Sequence, residues 1–289
     1  MKKVVVKIIA ICVLLALGAW GLKKLAKGNG QEAKETLCPT EVGTDSLSLS
    51  PLADDSDDAP ELDITINDVS FKMIRVEGGT FTMGATPEQG EDADADESPC
   101  HNVTLPTYYI AQTEVTQALW QAVMGNNPSD NKAPQNPVEC VNWDHCQKFI
   151  SKLNQLTGRT FRLPSEAEWE FAARGGNLGE GHTYSGSDLP DEVAWFSDNA
   201  ECETRRVKML SPNELGLYDM SGNVEEWCQD WYGEYTSSSQ TSPTGATSGT
   251  ARVYRGGGCC STAKGCRVTS RKKSAPTDFF NALGLRLAL

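Results

Sequence analysis

Histidines and basic side chains are both scarce in this sequence. The three histidines, His101, His145 and His182, are isolated, with no His-x-x-x-His or Glu-x-x-His spacing that would pair two metal ligands. This argues against a zinc hydrolase or a histidine-ligated iron centre. The 39 Asp and Glu residues outnumber the 26 Lys and Arg residues, which gives a formal net charge of −13. Because nucleic-acid affinity depends largely on neutralising phosphates with basic side chains, we expect no nucleic-acid partner.

A phosphate-binding loop and an internal repeat are also missing. The glycine run 256–258 lacks the Lys and the Ser/Thr of a nucleotide-binding loop and does not open a periodic helix. It predicts close backbone packing instead. No repeat period is visible, and helical periodicity is confined to three short stretches. Together with 26 Gly, 14 Pro and 7 Trp, this predicts an α+β domain with few short helices and strands and much irregular structure.

A hydrophobic run near the N-terminus predicts export. Ile8 to Leu22 contains no charged residue, and lysines flank the run on both sides. Such a run can be cleaved as a signal peptide or, if Lys7 reaches the headgroups, remain as a membrane anchor, and both fates stay open. We therefore expect residues 1–27 to place the domain outside the cytoplasm, in the cell envelope, either membrane-anchored or secreted.

The segment that follows, residues 28–70, is polar and acidic. It includes residues 54–58, Asp-Asp-Ser-Asp-Asp, and has too few apolar residues to form a core, which predicts a disordered stalk. A second acidic run, residues 91–97, alternates carboxylates with alanine and lacks the glycine turn of a calcium loop, so we expect a solvated loop there. The folded domain is predicted to span residues 71–289.

Local patterns in the folded region predict short elements. Residues 73–76 and 80–83 flank Glu77-Gly78-Gly79, a pattern typical of two strands joined by a tight turn. Apolar residues three and four positions apart indicate helices, and the last helix opens with a Ser-x-x-Glu capping box. These helices are predicted at about residues 116–124, 144–156 and 165–174.

Four motifs follow one another along the predicted domain. They are Met73 to Phe81, RLPSEAEWE at 162–170, GLYDMSGN at 216–223 and NALGLR at 281–286. Together they resemble the formylglycine-generating enzymes, also called sulfatase-modifying factors, over about residues 71–289. The resemblance implies a variant of the C-type lectin fold with little regular structure. The same scaffold also carries members with no known oxidase activity, so the fold leaves the function open.

The resemblance implies a copper site in the segment RGGGCCSTAKGCR, residues 255–267. In active members, two cysteines after Arg-Gly-Gly bind copper(I) and, with oxygen, convert a sulfatase cysteine to formylglycine. Soft thiolates suit that soft ion. Cys266 matches the second family cysteine, whereas Ser261 stands in the place of the first. If the site is active, Cys259 or Cys260 must serve as the partner of Cys266.

The alternative role for the thiols is structural. In an exported domain, the eight cysteines beyond the stalk can all pair, and we favour disulfides over copper. They stand at positions 100, 140, 146, 202, 228, 259, 260 and 266. The segments of Cys228 and Cys266 line one pocket in the resembling fold, so we expect a bridge between these two residues. That bridge would consume the only matching catalytic cysteine.

The motif around residues 218–227 predicts a calcium site by resemblance. Carried over by position, the family motif supplies side-chain oxygens from Asp219 and Glu226 and carbonyl oxygens from Gly222 and Val224. Calcium prefers such carboxylate and carbonyl donors. Without the family, the same residues would indicate only a capped turn.

The sequence therefore predicts an exported, envelope-anchored domain with a binding or assembly role and without standard oxidase activity. Its partner would be an envelope protein or an exported polypeptide, and the membrane would be contacted through the N-terminal segment. The alternative function is a copper-dependent oxidase that converts a sulfatase cysteine to formylglycine with Cys266. Whether the chain is an enzyme is thus left open by its residues.

Overall fold

The structure, a computed structural model, describes residues 59–289. The export segment and most of the predicted stalk lie outside the described residues. Twelve strands occur in this part of the chain: β1 (Glu61–Ile66), β2 (Val69–Val76), β3 (Gly79–Met83), β4 (His101–Leu105), β5 (Tyr108–Ala111), β6 (Ala194–Trp195), β7 (Ser221–Gly222), β8 (Glu225–Trp231), β9 (Gln240–Thr241), β10 (Arg252–Arg255), β11 (Arg271–Ser274) and β12 (Leu283–Leu285). Its helices are α1 (Gln117–Met124), α2 (Trp143–Thr157), α3 (Glu166–Ala173), α4 (Pro190–Val193) and α5 (Ser197–Ala200). None of these helices has the length and apolarity needed to span a bilayer.

The strands form three sheets and one two-stranded pair. Strands β1, β2 and β5 make an antiparallel sheet, and β4 lies between antiparallel β3 and parallel β9. Strands β6 and β7 pair in parallel. The four-stranded sheet has the order β11-β10-β8-β12, with β12 parallel to β8. This order places β10, which leads into the cysteine segment, between β8, which follows the predicted calcium turn, and β11, which follows the cysteine segment.

The three predicted helices are confirmed to within about two residues. Thr116 caps α1 by accepting from the N–H of Leu119, and the Ser165 capping box opens α3. Helix α2 ends at Gly158, which adopts the left-handed conformation with φ of 70°. These ends are set by contacts within a few residues of chain, which is why the sequence predicts them.

The two strands predicted around residues 77–79 form, but they do not pair with each other. Strand β2 lies between β1 and β5, whereas β3 belongs to another sheet. A Cβ on Gly78 would lie 2.7 Å from the carbonyl oxygen of Leu105, and the Asn177 amide donates to the carbonyls of Glu77 and Gly78. This close packing leads the chain from one sheet into the next, so the hairpin prediction is wrong.

Regular structure starts at Glu61, before the predicted domain start at residue 71. Strand β1 pairs with β2 along its whole length, and Ile64 and Ile66 lie buried in the first hydrophobic core. The alternation of apolar residues here spans only one short strand and lies close behind the acidic run 54–58. The sequence pattern therefore did not distinguish this strand from the stalk. Residues 61–70 therefore belong to the domain and not to the stalk.

We expect a protein that starts at residue 59 to fold and one that starts at residue 67 to be much less stable. The shorter protein loses the hydrogen bonds of β1 and the burial of Ile64 and Ile66, each worth about 1.5–3 kcal/mol. Urea unfolding followed by tryptophan fluorescence measures the difference, with a protein that starts at residue 54 as the control. Equal stability of the two shorter proteins would show that β1 is dispensable.

Two hydrophobic cores meet at β8. The first contains Trp120 stacked on Phe149, with ring centroids 4.9 Å apart. The second surrounds Trp169 of α3. Along β8, Trp227 packs in the first core and the adjacent Cys228 in the second, because neighbouring side chains of a strand point to opposite faces.

The acidic run 91–97 is not wholly solvated. Glu97 is fully buried, and its carboxylate accepts hydrogen bonds from the guanidinium of Arg267 and the hydroxyl of Thr269. Arg267 directly follows Cys266, so this ion pair ties the acidic run to the cysteine segment. The solvated-loop prediction is therefore wrong for Glu97.

Candidate functional site

The cysteine segment 255–267 follows β10 and forms a tight loop. Gly256 and Gly257 have φ of 94° and 67°, a left-handed backbone that favours glycine. A Cβ on Gly257 would lie 2.7 Å from the Sγ of Cys266, so a larger residue does not fit there. The close backbone packing predicted for the glycine run is confirmed.

Ser261, which stands in the place of the first family cysteine, belongs to a polar network. Its Oγ accepts a hydrogen bond from the Gly258 N–H at 3.0 Å and lies 3.5 Å from Oε1 of Glu225. The ammonium of Lys272 on β11 donates to the same Glu225 oxygen at 2.5 Å. The Ser261 hydroxyl and the Lys272 ammonium therefore share the Glu225 carboxylate.

Cys266 is a buried thiol beside this network. It packs with Tyr184 and Phe196 in a small hydrophobic cluster. Burial raises the pKa of the Cys266 thiol to about 12, against the opposing effect of the Lys272 ammonium and with a further increase from Glu225. The free thiol therefore keeps its proton at neutral pH, and a copper(I) ion would have to displace that proton to bind.

The remaining cysteines of the segment do not complete a copper pair. Cys260 forms a disulfide with Cys202, and the two Cα atoms lie 4.4 Å apart. Cys259 is buried in a different hydrophobic cluster from Cys266, with Ala200 and Val224, and burial raises its pKa to about 11. The hydroxyl of Ser261 is a hard donor that replaces a soft one. The residues present thus do not fit the copper site that the resemblance implies.

The disulfide corrects the predicted pairing. A disulfide is confirmed, but the expected bridge between Cys228 and Cys266 is wrong, since both residues are free and fully buried. Cys228 faces the second hydrophobic core and Cys266 the small cluster around Phe196. The opposite-face alternation of β8 fixes Cys228 in that core. Six cysteines are free in the described part of the chain, so the domain is not fully paired.

The predicted calcium residues lie together on one turn and strand. Asp219 is buried, and its Oδ2 accepts from the N–H of Lys208 at 2.8 Å. On β8, both oxygens of Glu226 accept from Arg286 at distances between 2.7 and 3.0 Å, and Oε2 also accepts from the indole N–H of Trp169 at 2.7 Å. Glu226 is therefore already bound to donors.

Gly222 and Val224 hold this turn against its neighbours. The N–H of Gly222 donates to the Gly256 carbonyl at 2.8 Å, and a Cβ on Gly222 would lie 2.4 Å from the carbonyl oxygen of Trp195. The N–H of Val224 donates to Oε1 of Glu114 at 3.1 Å. The predicted calcium turn and the cysteine segment thus form one connected site.

Three buried carboxylates in this site share one buried guanidinium. Arg286 pairs with Glu226, and the charges of Glu114 and Asp219 also act on its guanidinium. Burial raises the pKa of Glu114 well above its usual range and the pKa of Asp219 to about 6. This excess of acidic groups fits a cation beside Asp219, whereas Glu226 is committed to Arg286 and does not fit the ligand set. Calcium binding stays a prediction.

We expect calcium to raise the melting temperature of the full-length protein relative to a chelator. An ion at one hundred times its dissociation constant adds about 2.7 kcal/mol to native-state stability. Asp219→Ala should remove the calcium response, and Asp94→Ala, in the exposed part of the acidic run, should keep it. Identical melting curves with calcium and chelator would remove calcium from this site.

A cavity of about 290 Å³ is lined in part by the buried Asp230. Its Oδ2 accepts from the N–H of Glu166 at 3.0 Å. Burial, assisted by the charge of Glu166, raises the pKa of Asp230 to about 7. The native state therefore binds this proton more tightly than the unfolded chain, so this group lowers stability as pH rises from about 4 to 7.

We expect Asp230→Asn to be more stable than the wild type at pH 8 by about 4 kcal/mol and about equally stable at pH 4. The asparagine keeps an oxygen for the Glu166 N–H but carries no charge. Urea unfolding at both pH values measures the difference, with the exposed Asp198→Asn as the control. A difference that does not change with pH would rule out titration of Asp230.

The sequence did not predict that Lys272 and Glu114 belong to the site. No local sequence pattern places Lys272 beside Glu225. The contact arises because β8 and β11 both pair with β10. Glu114 lies before α1 and reaches the turn at Val224 from 110 residues away. Separations of this size carry no periodic signal.

Comparison with known proteins identifies the domain. The sulfatase-modifying factor enzyme 1-like domain matches residues 66–289. The chain belongs to the sulfatase-modifying factor family. The chaperone protein LppX of Paenibacillus barcinonensis is 34% identical to this family member over 75% of this chain and 87% of its own length. The formylglycine-generating enzyme of Streptomyces coelicolor is 28% identical over 75% of this chain and 88% of its own length.

A solved structure supports the same assignment. Treponema denticola variable protein 1 superposes with a TM-score of 0.73 at 32% identity, covering 79% of this chain and 98% of that protein. The predicted fold class is confirmed: this sulfatase-modifying factor domain is an α+β, C-type-lectin-like variant with short elements. Within the family, its cysteine segment carries Ser261 and the Cys202–Cys260 bridge where a copper site would need two thiolates.

Proposed function

We propose that this chain is an exported, envelope-anchored sulfatase-modifying factor protein that binds or assembles another polypeptide and does not oxidise cysteine. The observation that carries the proposal is the network of Ser261, Glu225 and Lys272 in the place of the first family thiol. An ammonium ion and a carboxylate stabilise each other there, and neither is a ligand for copper(I).

A relative supports the binding role, and the N-terminal sequence supports export. The family includes a relative named a chaperone protein, which is 34% identical to this chain. The N-terminal run of apolar residues between lysines supports export, with the domain outside the cytoplasm. The partner is then an envelope protein or an exported polypeptide, because only those share this compartment.

Complementation of a deletion strain separates the binding role from the oxidase role. The strain receives the full-length wild type, Cys266→Ala or, as a matched buried-cysteine control, Cys228→Ala, and the abundance of envelope proteins is quantified. We expect wild type and Cys266→Ala to restore the same proteins when their own levels are equal. An oxidase would require Cys266, so restoration by wild type and Cys228→Ala but not by Cys266→Ala would contradict the proposal.

A further inference from the structure

The loop between α1 and α2 brings together three side chains that the proposed function does not use. Asp130, Glu139 and Cys140 each offer one ligand atom, and these atoms all lie within 4.8 Å of one another. Asp130 is exposed and Cys140 is partly buried, so the cluster is open to solvent on one side. It is built by a different segment from the cysteine loop at 255–267.

Glu139 forms the inner wall of this cluster. It is 1% exposed. Its Oε1 accepts from the backbone N–H groups of Asp130 and Asn131, at 2.5 and 3.0 Å, and these bonds fix the loop around the carboxylate. Its Oε2 is buried and accepts no N–H or O–H hydrogen bond in the described structure, and the Cys140 thiol lies beside the carboxylate. A buried carboxylate oxygen without such a bond is costly, and a bound cation would satisfy it.

Cys140 and Asp130 supply the other two ligand atoms. The Cys140 thiol donates to Oδ2 of Asp130 at 3.6 Å. Burial and the neighbouring carboxylates of Glu139 and Asp130 raise the pKa of this thiol to about 12, so a bound ion must displace its proton. The backbone N–H of Cys140 donates to the carbonyl of Phe280, and that of Glu139 donates to the hydroxyl of Ser129. The backbone that carries two of the ligands is thus held from both sides.

We infer that Asp130, Glu139 and Cys140 bind a divalent cation of the zinc class. One thiolate and two carboxylates match the sulfur and oxygen ligands that zinc accepts. The sulfur disfavours calcium and magnesium, which take oxygen ligands, and the two carboxylates disfavour copper(I), which takes soft ones. Three protein ligands and a solvent-facing side leave one tetrahedral position for water.

Titration with cobalt(II), a spectroscopic probe for zinc sites, tests this assignment on the full-length protein in detergent after removal of metals. We expect one equivalent to bind with a thiolate-to-cobalt charge-transfer band, and zinc to displace it. Cys140→Ser should abolish the band. Glu139→Gln, which keeps an oxygen for the two backbone N–H groups, should weaken binding by about tenfold or more. Cys100→Ser removes another partly buried free thiol and should change nothing.

Alkylation of the wild-type protein gives a second measurement that needs no variant. Saturating zinc should slow the modification of Cys140 by iodoacetamide, measured by peptide mass spectrometry, and leave Cys100 unaffected. The inference is overturned if wild-type protein shows no charge-transfer band, if the band survives in Cys140→Ser, or if zinc leaves the alkylation of Cys140 unchanged.

Discussion

Arg286→Ala should lower the free energy of unfolding by about 3–5 kcal/mol, the range for removing one partner of a buried ion pair. The Arg286 guanidinium is fully buried and donates to both oxygens of Glu226 and to the carbonyls of Ala111 and Tyr218. Its loss would leave the Glu226 carboxylate without its cation and two carbonyls without this donor. Urea unfolding of the full-length protein in detergent measures the effect.

The matched control is an exposed ion pair of the same domain. Lys264 Nζ lies 2.8 Å from Asp94, and both side chains are about half exposed, so Lys264→Ala should cost less than about 1 kcal/mol. The double variant Glu226→Gln with Arg286→Met should lose less than the sum of the two single losses, because each single change strands the other group. Additive losses would show that the two residues act independently.

Ser261→Cys should convert a protein with no measurable copper(I) affinity into one that binds one equivalent tightly. The new thiol would stand in the place of the first family cysteine, with Cys266 in the place of the second. Both thiols must lose a proton on binding, and the metal ion favours that loss even where burial opposes it. Competition against a copper(I) chelator measures the affinity.

Two further variants are controls for this result. Thr262→Cys adds a thiol one residue away, on an exposed position, and Ser261→Ala removes the hydroxyl without adding sulfur. Neither should bind copper(I) stoichiometrically. Tight binding by the wild type, or equal binding by Thr262→Cys, would show that the missing thiol at position 261 is not what prevents copper binding.

The sequence predicted those parts of the fold that local contacts determine. The helices begin and end at caps such as Thr116, Ser165 and Gly158, which act within a turn of chain. Strand partners were not predictable in the same way, because β2 pairs with β1 and β5 and not with the strand that follows it. The domain start was missed for a related reason: β1 has only the short apolar alternation that ends at Ile66.

For the site, the sequence likewise indicated which residues matter but not which residues they contact. The family resemblance singled out Cys266, Ser261, Asp219 and Glu226, and the structure places their two segments in contact. The resemblance did not indicate that Glu226 would be held by Arg286, 60 residues away. Nor did it indicate that Cys260 would pair with Cys202, which lies 58 residues earlier. Such contacts depend on how sheets and loops pack, which a single sequence does not specify by periodicity.

The oxidation of a sulfatase-motif peptide tests the central claim most directly. Full-length protein in detergent is incubated with copper(I), oxygen and a peptide whose cysteine lies in a sulfatase motif, and the aldehyde product is measured by mass spectrometry against a protein-free control. The predicted result is no aldehyde above that control, because Ser261 leaves Cys266 without the second thiol of a copper pair. Aldehyde formation by the wild type that Cys266→Ala stops would contradict the claim and identify the protein as an oxidase.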